Sequence, residues 1–233
     1  MNRDEKIAEK YLRTLGYTDI AYEPDGNIPP DFLLNGIAAI EVRKLNQHHV
    51  INGKAQPLEE VEYKLIPMLD KMLSDFEGNT HESSAFVCIT YSRPVGKIRE
   101  RIKEIKKVLA CHLPRINQKA EYQISENIHI ELLPASERYD SAYVLGAMPD
   151  MDAGGFVVSE IYSNLKIVLE EKTRKISKYR HKYNEWWLVL IDYIGHGLSE
   201  RDVTHLRELP VITNGWDKVV LVSPQGNSHG FEI

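Results

Sequence analysis

The chain predicts a mixed α/β sheet with helices on both faces. Three observations point there. The patterns run helix, three strands, then alternating helices and strands. Two apolar runs, SAFVCITYS (84–92) and WWLVLIDY (186–193), have the length and composition of buried strands. An Asn35-Gly36 pair separates the strand-like runs DFLL and IAAIEVRKL. Such a pair marks a hairpin, because both central turn residues need positive φ.

Each element has its own local reason. In the opening segment Ile7, Ala8, Tyr11, Leu12 and Leu15 recur at helical spacing, with Asp4 as the expected cap and Gly16 as the stop. Residues 19–23 read as a short strand, and the Pro/Gly/Asn-rich stretch 24–30 as a turn. After the hairpin, the polar segment 46–56, with His48 and His49, reads as a loop. Residues 57–76 repeat apolar side chains on one side of a helix, and 95–113 form a helix with a charged outer face. Residues 120–136 and 143–148 read as strands, 156–182 as a long helix, and KVVLVS (218–223) as the last strong strand. No composition shift marks a boundary, so one domain over 1–233 is expected, with a C-terminal elaboration over 194–233.

The 233 residues are 42% apolar and 27% charged, an ordinary globular balance that excludes a compositionally disordered chain. Acids outnumber bases 34 to 29, for a net charge of −5, which argues against a blanket of positive charge but leaves room for a local basic surface. No apolar run reaches the roughly 18 residues of a membrane span, so no membrane partner is expected. The start MNRDEKIAEK has no hydrophobic leader, and the two cysteines, Cys88 and Cys111, lack metal-type spacing. The expected location is cytoplasmic.

The informative stretch is PPDFLLNGIAAIEVRKL. Asp31 opens the first hairpin strand and Glu41 lies among Ala39, Ile40 and Val42 in the second. A carboxylate in so apolar a strand is costly unless it is paired or holds a cation. Alternation puts Glu41 and Arg43 on one face and Ile40, Val42 and Lys44 on the other. Counting outward from a two-residue turn, Asp31 falls opposite Ala39 or Ile40, give or take a bulge. Two hard oxygen donors thus converge, a chemistry suited to Mg²⁺ or Mn²⁺. Acids so clustered repel one another, so at least one should titrate abnormally without a metal.

At these residues the sequence resembles the PD-(D/E)XK nuclease superfamily, the restriction-endonuclease-like fold. Pro30-Asp31 matches its PD, and Glu41-Val42-Arg43 its (D/E)XK with arginine in the lysine position. EKIAEKYLRTLGY is similar to the E-x-x-A-x-x-x-L-x-x-x-G-Y helix that opens many members, with Glu5 at the matching glutamate and Glu9 one turn later as the alternative. The likeness is clearest over residues 3–45. EEKTRKISKY followed by WWLVLID resembles the K-x-x-K-x-x-x-Y helix and next strand of some uncharacterised relatives.

The resemblance implies a metal-dependent nuclease acting on nucleic acid, DNA first, with homodimer assembly left open. Asp31 and Glu41 would hold Mg²⁺ or Mn²⁺, Glu5 would complete or orient the site, and Arg43 would stabilise phosphoryl oxygens. Arginine is a poor general base. The adjacent Lys44 should face the wrong side, so Lys172 or Lys175 of the long helix is the expected spatial replacement and nucleic-acid contact. The alternative is a non-catalytic nucleic-acid- or protein-binding module on the same fold.

Other features read as structural. KIRERIKEIKK (97–107) carries six bases against two acids, in a pattern that i,i+4 pairing on a solvated helix also explains. Cys111-His112 lacks further zinc ligands, and Asp152-Ala153-Gly154-Gly155 lacks the lysine and hydroxyl of a phosphate loop.

Overall fold

The structure, a computed structural model, describes residues 1–51, 53–78, 82–196, 198–210, 213, 215–225 and 230–232. In chain order its elements are α1 (Arg3–Thr14), β1 (Ile20–Tyr22), β2 (Phe32–Leu34), β3 (Ala38–Leu45), β4 (His48–Ile51), β5 (Lys54–Pro57), α2 (Glu59–Leu73), β6 (Ala85–Tyr91), α3 (Ile98–His112), β7 (Ala120–Ser125), β8 (Ile128–Pro134), β9 (Tyr143–Leu145), α4 (Val157–Ile176), β10 (Glu185–Asp192), α5 (Glu200–Glu208), β11 (Lys218–Val222) and β12 (Gly230–Glu232). Mixed α/β architecture is therefore observed. No helix among the described residues is long and apolar enough to cross a membrane.

The chain divides into two compact units where the sequence reading takes one domain: residues 1–55 with 154–233, and residues 56–153. Both junctions fall in short polar segments, KAQP and DAGG, that do not differ in composition from their surroundings.

The first unit is built on a six-stranded sheet in the order β1-β2-β3-β10-β11-β12. β3, β10 and β11 run parallel, and β1, β2 and β12 are antiparallel to their neighbours. A central parallel strand is covered on both faces, which is why WWLVLID is continuously apolar rather than alternating. One face carries Ile40, Val42, Trp187, Val189 and Ile191 against Ala8, Tyr11 and Leu12 of α1. The other carries Ala39, Leu45, Trp186, Leu188 and Leu190 against Ile161, Leu165, Val168 and Leu169 of α4 and Leu206 of α5. α1 is capped by Asn2 rather than Asp4: Asn2 Oδ1 accepts from the Glu5 amide, and the Glu5 carboxylate accepts from the Asn2 amide. Gly16, at φ 91°, ends the helix as expected.

Two features of this unit differ from the sequence reading. Residues 46–56 hold a two-stranded ribbon of β4 and β5 rather than a loop, with Asn52 outside the described residues. α5 was not anticipated, although Ser199 and Asp202 form a reciprocal capping box before it. The strand expected over 218–223 is β11 of the central sheet, while residues 197, 211, 212, 214, 226–229 and 233 of the range 194–233 lie outside the described ones.

The second unit has an antiparallel β7-β8-β6 core with β9 added parallel to β6. Burial along β6 alternates strictly. Val87, Ile89, Ile130 and Leu132 pack on Leu65, Leu69 and Met72 of α2 and Ile102, Ile105 and Leu109 of α3. One covered face and one half-exposed face are what an antiparallel sheet with helices on a single side requires.

Candidate functional site

The site begins with the hairpin. Asn35 and Gly36 both have positive φ, 49° and 69°, and the Ile37 amide donates to the Leu34 carbonyl at 2.9 Å. The ladder then pairs Leu34 with Ala38 and Phe32 with Ile40. The register is one residue later than a two-residue turn predicts, because Ile37 stays outside the pairing. Continued by one step, it sets Asp31 beside Glu41 rather than opposite Ala39 or Ile40. The Asp31 amide donates to the Ile40 carbonyl at 2.9 Å, and the Val42 amide donates to Asp31 Oδ2 at 2.7 Å. A shift of one residue changes the face of every side chain, and this one puts both acids on the α4 face.

Glu41 is fully buried, at 0% exposure. Two lysines from α4 neutralise it. Lys172 Nζ, 7% exposed, donates to Glu41 Oε2 at 2.6 Å and to the Val42 carbonyl at 3.2 Å. Lys175 Nζ lies 3.1 Å from Oε2 and 3.4 Å from Oε1, with its side chain 46% exposed. The pair comes from one helix face, three residues apart. Of the replacements considered for the missing lysine, both arrive.

Two carboxylates thus face two ammonium groups. Burial raises the Asp31 carboxyl above the usual carboxylate range, and the Glu41 charge adds to this. The Val42 N–H and the two lysines only partly oppose it. The anticipated abnormal titration therefore falls on Asp31. Burial alone would lower the Lys175 ammonium, but Glu41 and Asp31 outweigh it and hold it above its ordinary value.

Arg43 shares the α4 face with Glu41. One terminal nitrogen lies 3.4 Å from Glu171 Oε2, and its Nε is buried without a hydrogen-bond partner among the described residues. Lys44 points to the other face, 4.6 Å from the Tyr193 ring centre, so strand alternation holds without a bulge. Glu5 does not join the acids. Its carboxylate is taken by the Asn2 amide, the Asn2 side chain, the Tyr22 hydroxyl and the N-terminal ammonium. Glu9 pairs with Arg13. Glu5 matched the helix pattern, with Glu9 as the alternative, but the first caps α1 and the second is taken by Arg13.

The oxygen donors suit a hard cation. The Asp31 and Glu41 carboxylates and the Val42 carbonyl meet on one face, and Lys172 Nζ already sits on two of these three groups as a cation. Among the described residues no group of three or more His, Cys, Asp and Glu could hold a metal. A Mg²⁺ held here would therefore keep several waters, as it ordinarily does.

Farther along α4, the buried Asn164 was missed by the sequence reading. Its Oδ1 accepts from the His48 amide at 2.8 Å and lies 3.0 Å from His48 Nδ1, while its Nδ2 donates to the Glu160 carbonyl at 2.8 Å. A lone polar residue on the apolar face of α4 was the available signal.

Most of the basic runs are ordinary ion pairs. In α3, Lys97 meets Glu100, Arg101 meets Glu104 and Lys106 meets Asp75. Beyond the two site lysines, Arg174 pairs with Glu170, Arg180 with Asp217 and Lys182 with Asp25. His112 is buried, with Nδ1 3.2 Å from the Tyr122 hydroxyl. No protein-family model, curated protein or solved structure matches the chain.

Proposed function

We propose that the first unit is a restriction-endonuclease-like domain that hydrolyses phosphodiester bonds, with DNA as substrate. The observation that carries this reading is the lysine pair of α4 on the buried Glu41, beside Asp31. A pair of acids alone would be compatible with a strand-edge ion pair. Acids meeting lysines on a covered sheet face, with one acid titrating high, are the combination that clusters at functional sites.

Asp31 and Glu41 would hold Mg²⁺ or Mn²⁺, which supplies charge to polarise the phosphate and lowers the pKa of bound water. Lys175, half exposed, would orient the attacking water and stabilise charge on the phosphoryl oxygens. Arg43 would add bidentate contacts to those oxygens. Lys172, almost fully buried, would hold Glu41 aligned.

The test is Mg²⁺- or Mn²⁺-dependent cleavage of single-stranded, duplex and branched DNA by the full chain. Cleavage is expected from the wild type and lost in Asp31→Ala and Glu41→Ala. Activity that survives both substitutions would overturn the reading. A second reading, a non-catalytic binding module, is favoured by one observation: the full burial of Glu41 under Lys172, which satisfies the acid internally. On that reading calorimetry finds no Mn²⁺ binding that depends on Asp31.

A further inference from the structure

α1 carries a stripe of three cations, Arg3, Lys6 and Lys10, at spacings of three and four residues. All three line one cavity of about 400 Å³, together with Ile7 and with Pro224 and Gln225, which follow β11. No acid lines it. The acids of α1 are engaged elsewhere: Asp4 accepts from the Tyr193 hydroxyl, Glu5 from Asn2 and Tyr22, and Glu9 from Arg13. Arg3, Lys6 and Lys10 make no ion pair or side-chain hydrogen bond among the described residues.

Helix electrostatics disfavour this placement. The positive end of the helix dipole repels Arg3 and Lys6. Arg3 and Lys6 at i,i+3, and Lys6 and Lys10 at i,i+4, repel each other. Three uncompensated cations on one wall leave the cavity strongly positive, and an anion within it would relieve all of these repulsions. The cavity is separate from the acid site: α1 packs on the sheet face of Ile40 and Val42, whereas Glu41 faces α4. It lies next to the carboxyl end of β11, one of three parallel strands, and crevices beyond such ends are common ligand sites.

We propose that this cavity binds a phosphate-bearing anion. Arg3 takes two of its oxygens as a planar fork, while Lys6 and Lys10 act as point charges on the others. Three converging cations match a group of two or more negative charges better than a single carboxylate. Among the described residues the lining offers no aromatic ring, so the phosphate is what is recognised and an attached base or sugar is not. The inference does not depend on whether the acid site hydrolyses anything.

The test is calorimetry at about 0.15 M salt, where exposed charges are screened beyond about 8 Å. The probes are inorganic pyrophosphate and, separately, a single-stranded oligonucleotide, each titrated into the wild type and a Lys6→Gln/Lys10→Gln variant. At least one probe is expected to bind the wild type and to lose about tenfold or more in affinity with the variant. Binding of pyrophosphate assigns a free or terminal phosphate, and binding of the oligonucleotide alone assigns a diester backbone. The variant should melt at or above the wild-type temperature in phosphate-free buffer, since the substitutions remove repulsion. The proposal is overturned if neither probe binds, if both chains bind equally, or if the variant is less stable without ligand.

Discussion

Each unit buries an ionic cluster, and the two clusters are solved differently. In the second unit, Arg93 is 5% exposed and its guanidinium reaches both oxygens of Asp150 at 2.7 and 2.8 Å, Asp152 Oδ2 at 3.1 Å, and the Leu58 carbonyl. The Arg93 amide closes the network on Asp152 at 2.6 Å. Burial alone would raise the Asp150 carboxyl, but bonds from Arg93 and the Asp152 amide hold it below its ordinary value. In the first unit two point-charge lysines meet Glu41, one of them half exposed, and the neighbouring Asp31 titrates high. A planar fork matched to a carboxylate locks a structure, whereas movable ammonium groups beside an acid of raised pKa leave chemistry available. The contrast supports the first cluster as the candidate site and sets the second apart as a brace.

The largest expected effect is on the brace. Arg93→Met leaves Asp150 and Asp152 without their counter-charge and should cost about 3–5 kcal/mol, read by denaturant unfolding, without changing metal-dependent cleavage. A loss below about 1 kcal/mol would make the brace an ordinary surface pair. Next, Asp31→Asn should lower cleavage by about 10²–10³-fold while leaving the melting temperature at or above wild type, because a group whose charge is disfavoured by burial becomes neutral. If stability falls instead, the two clusters serve the same structural end. Lys175→Met should lower cleavage by about 10²-fold yet change stability by no more than about 1 kcal/mol, since the side chain is 46% exposed. A stability loss matching that of Arg93→Met would place Lys175 with the brace.

Acid separates the units more gently. Asp150 has a lowered folded pKa, so its contribution is present above the unfolded value near about 4 and is lost as pH falls through the folded value. Asp31 has a raised folded pKa, so its contribution is full below about 4 and is lost as pH rises through the folded value. Hydrogen exchange, corrected for intrinsic rates, should therefore show β6 amides losing more protection than β3 amides between about pH 6 and pH 3. Equal losses would remove the distinction.

What the sequence determined by itself was local. Asn35-Gly36 demands positive φ at two adjacent residues, so Asp31 and Glu41, ten positions apart, had to lie on the two arms of one hairpin. Strand alternation put Arg43 with Glu41 and Lys44 behind it. Tertiary structure decided the rest. The ladder leaves Ile37 out, and this decides that Glu41 rather than Ile40 faces Asp31. The lysines reach Glu41 from 131 and 134 positions away, and only the seating of α4 on β3 selects them from the many bases of the chain. Arg93 and Asp150 are 57 positions apart with no spacing that marks them as partners. Glu5 fits a helix pattern yet serves as a cap, because the amide beside it must be satisfied before any distant site can claim the carboxylate. Short-range geometry follows from backbone dihedrals encoded in a few residues, whereas the assembly of charges depends on which buried faces close on one another, a property of the whole chain.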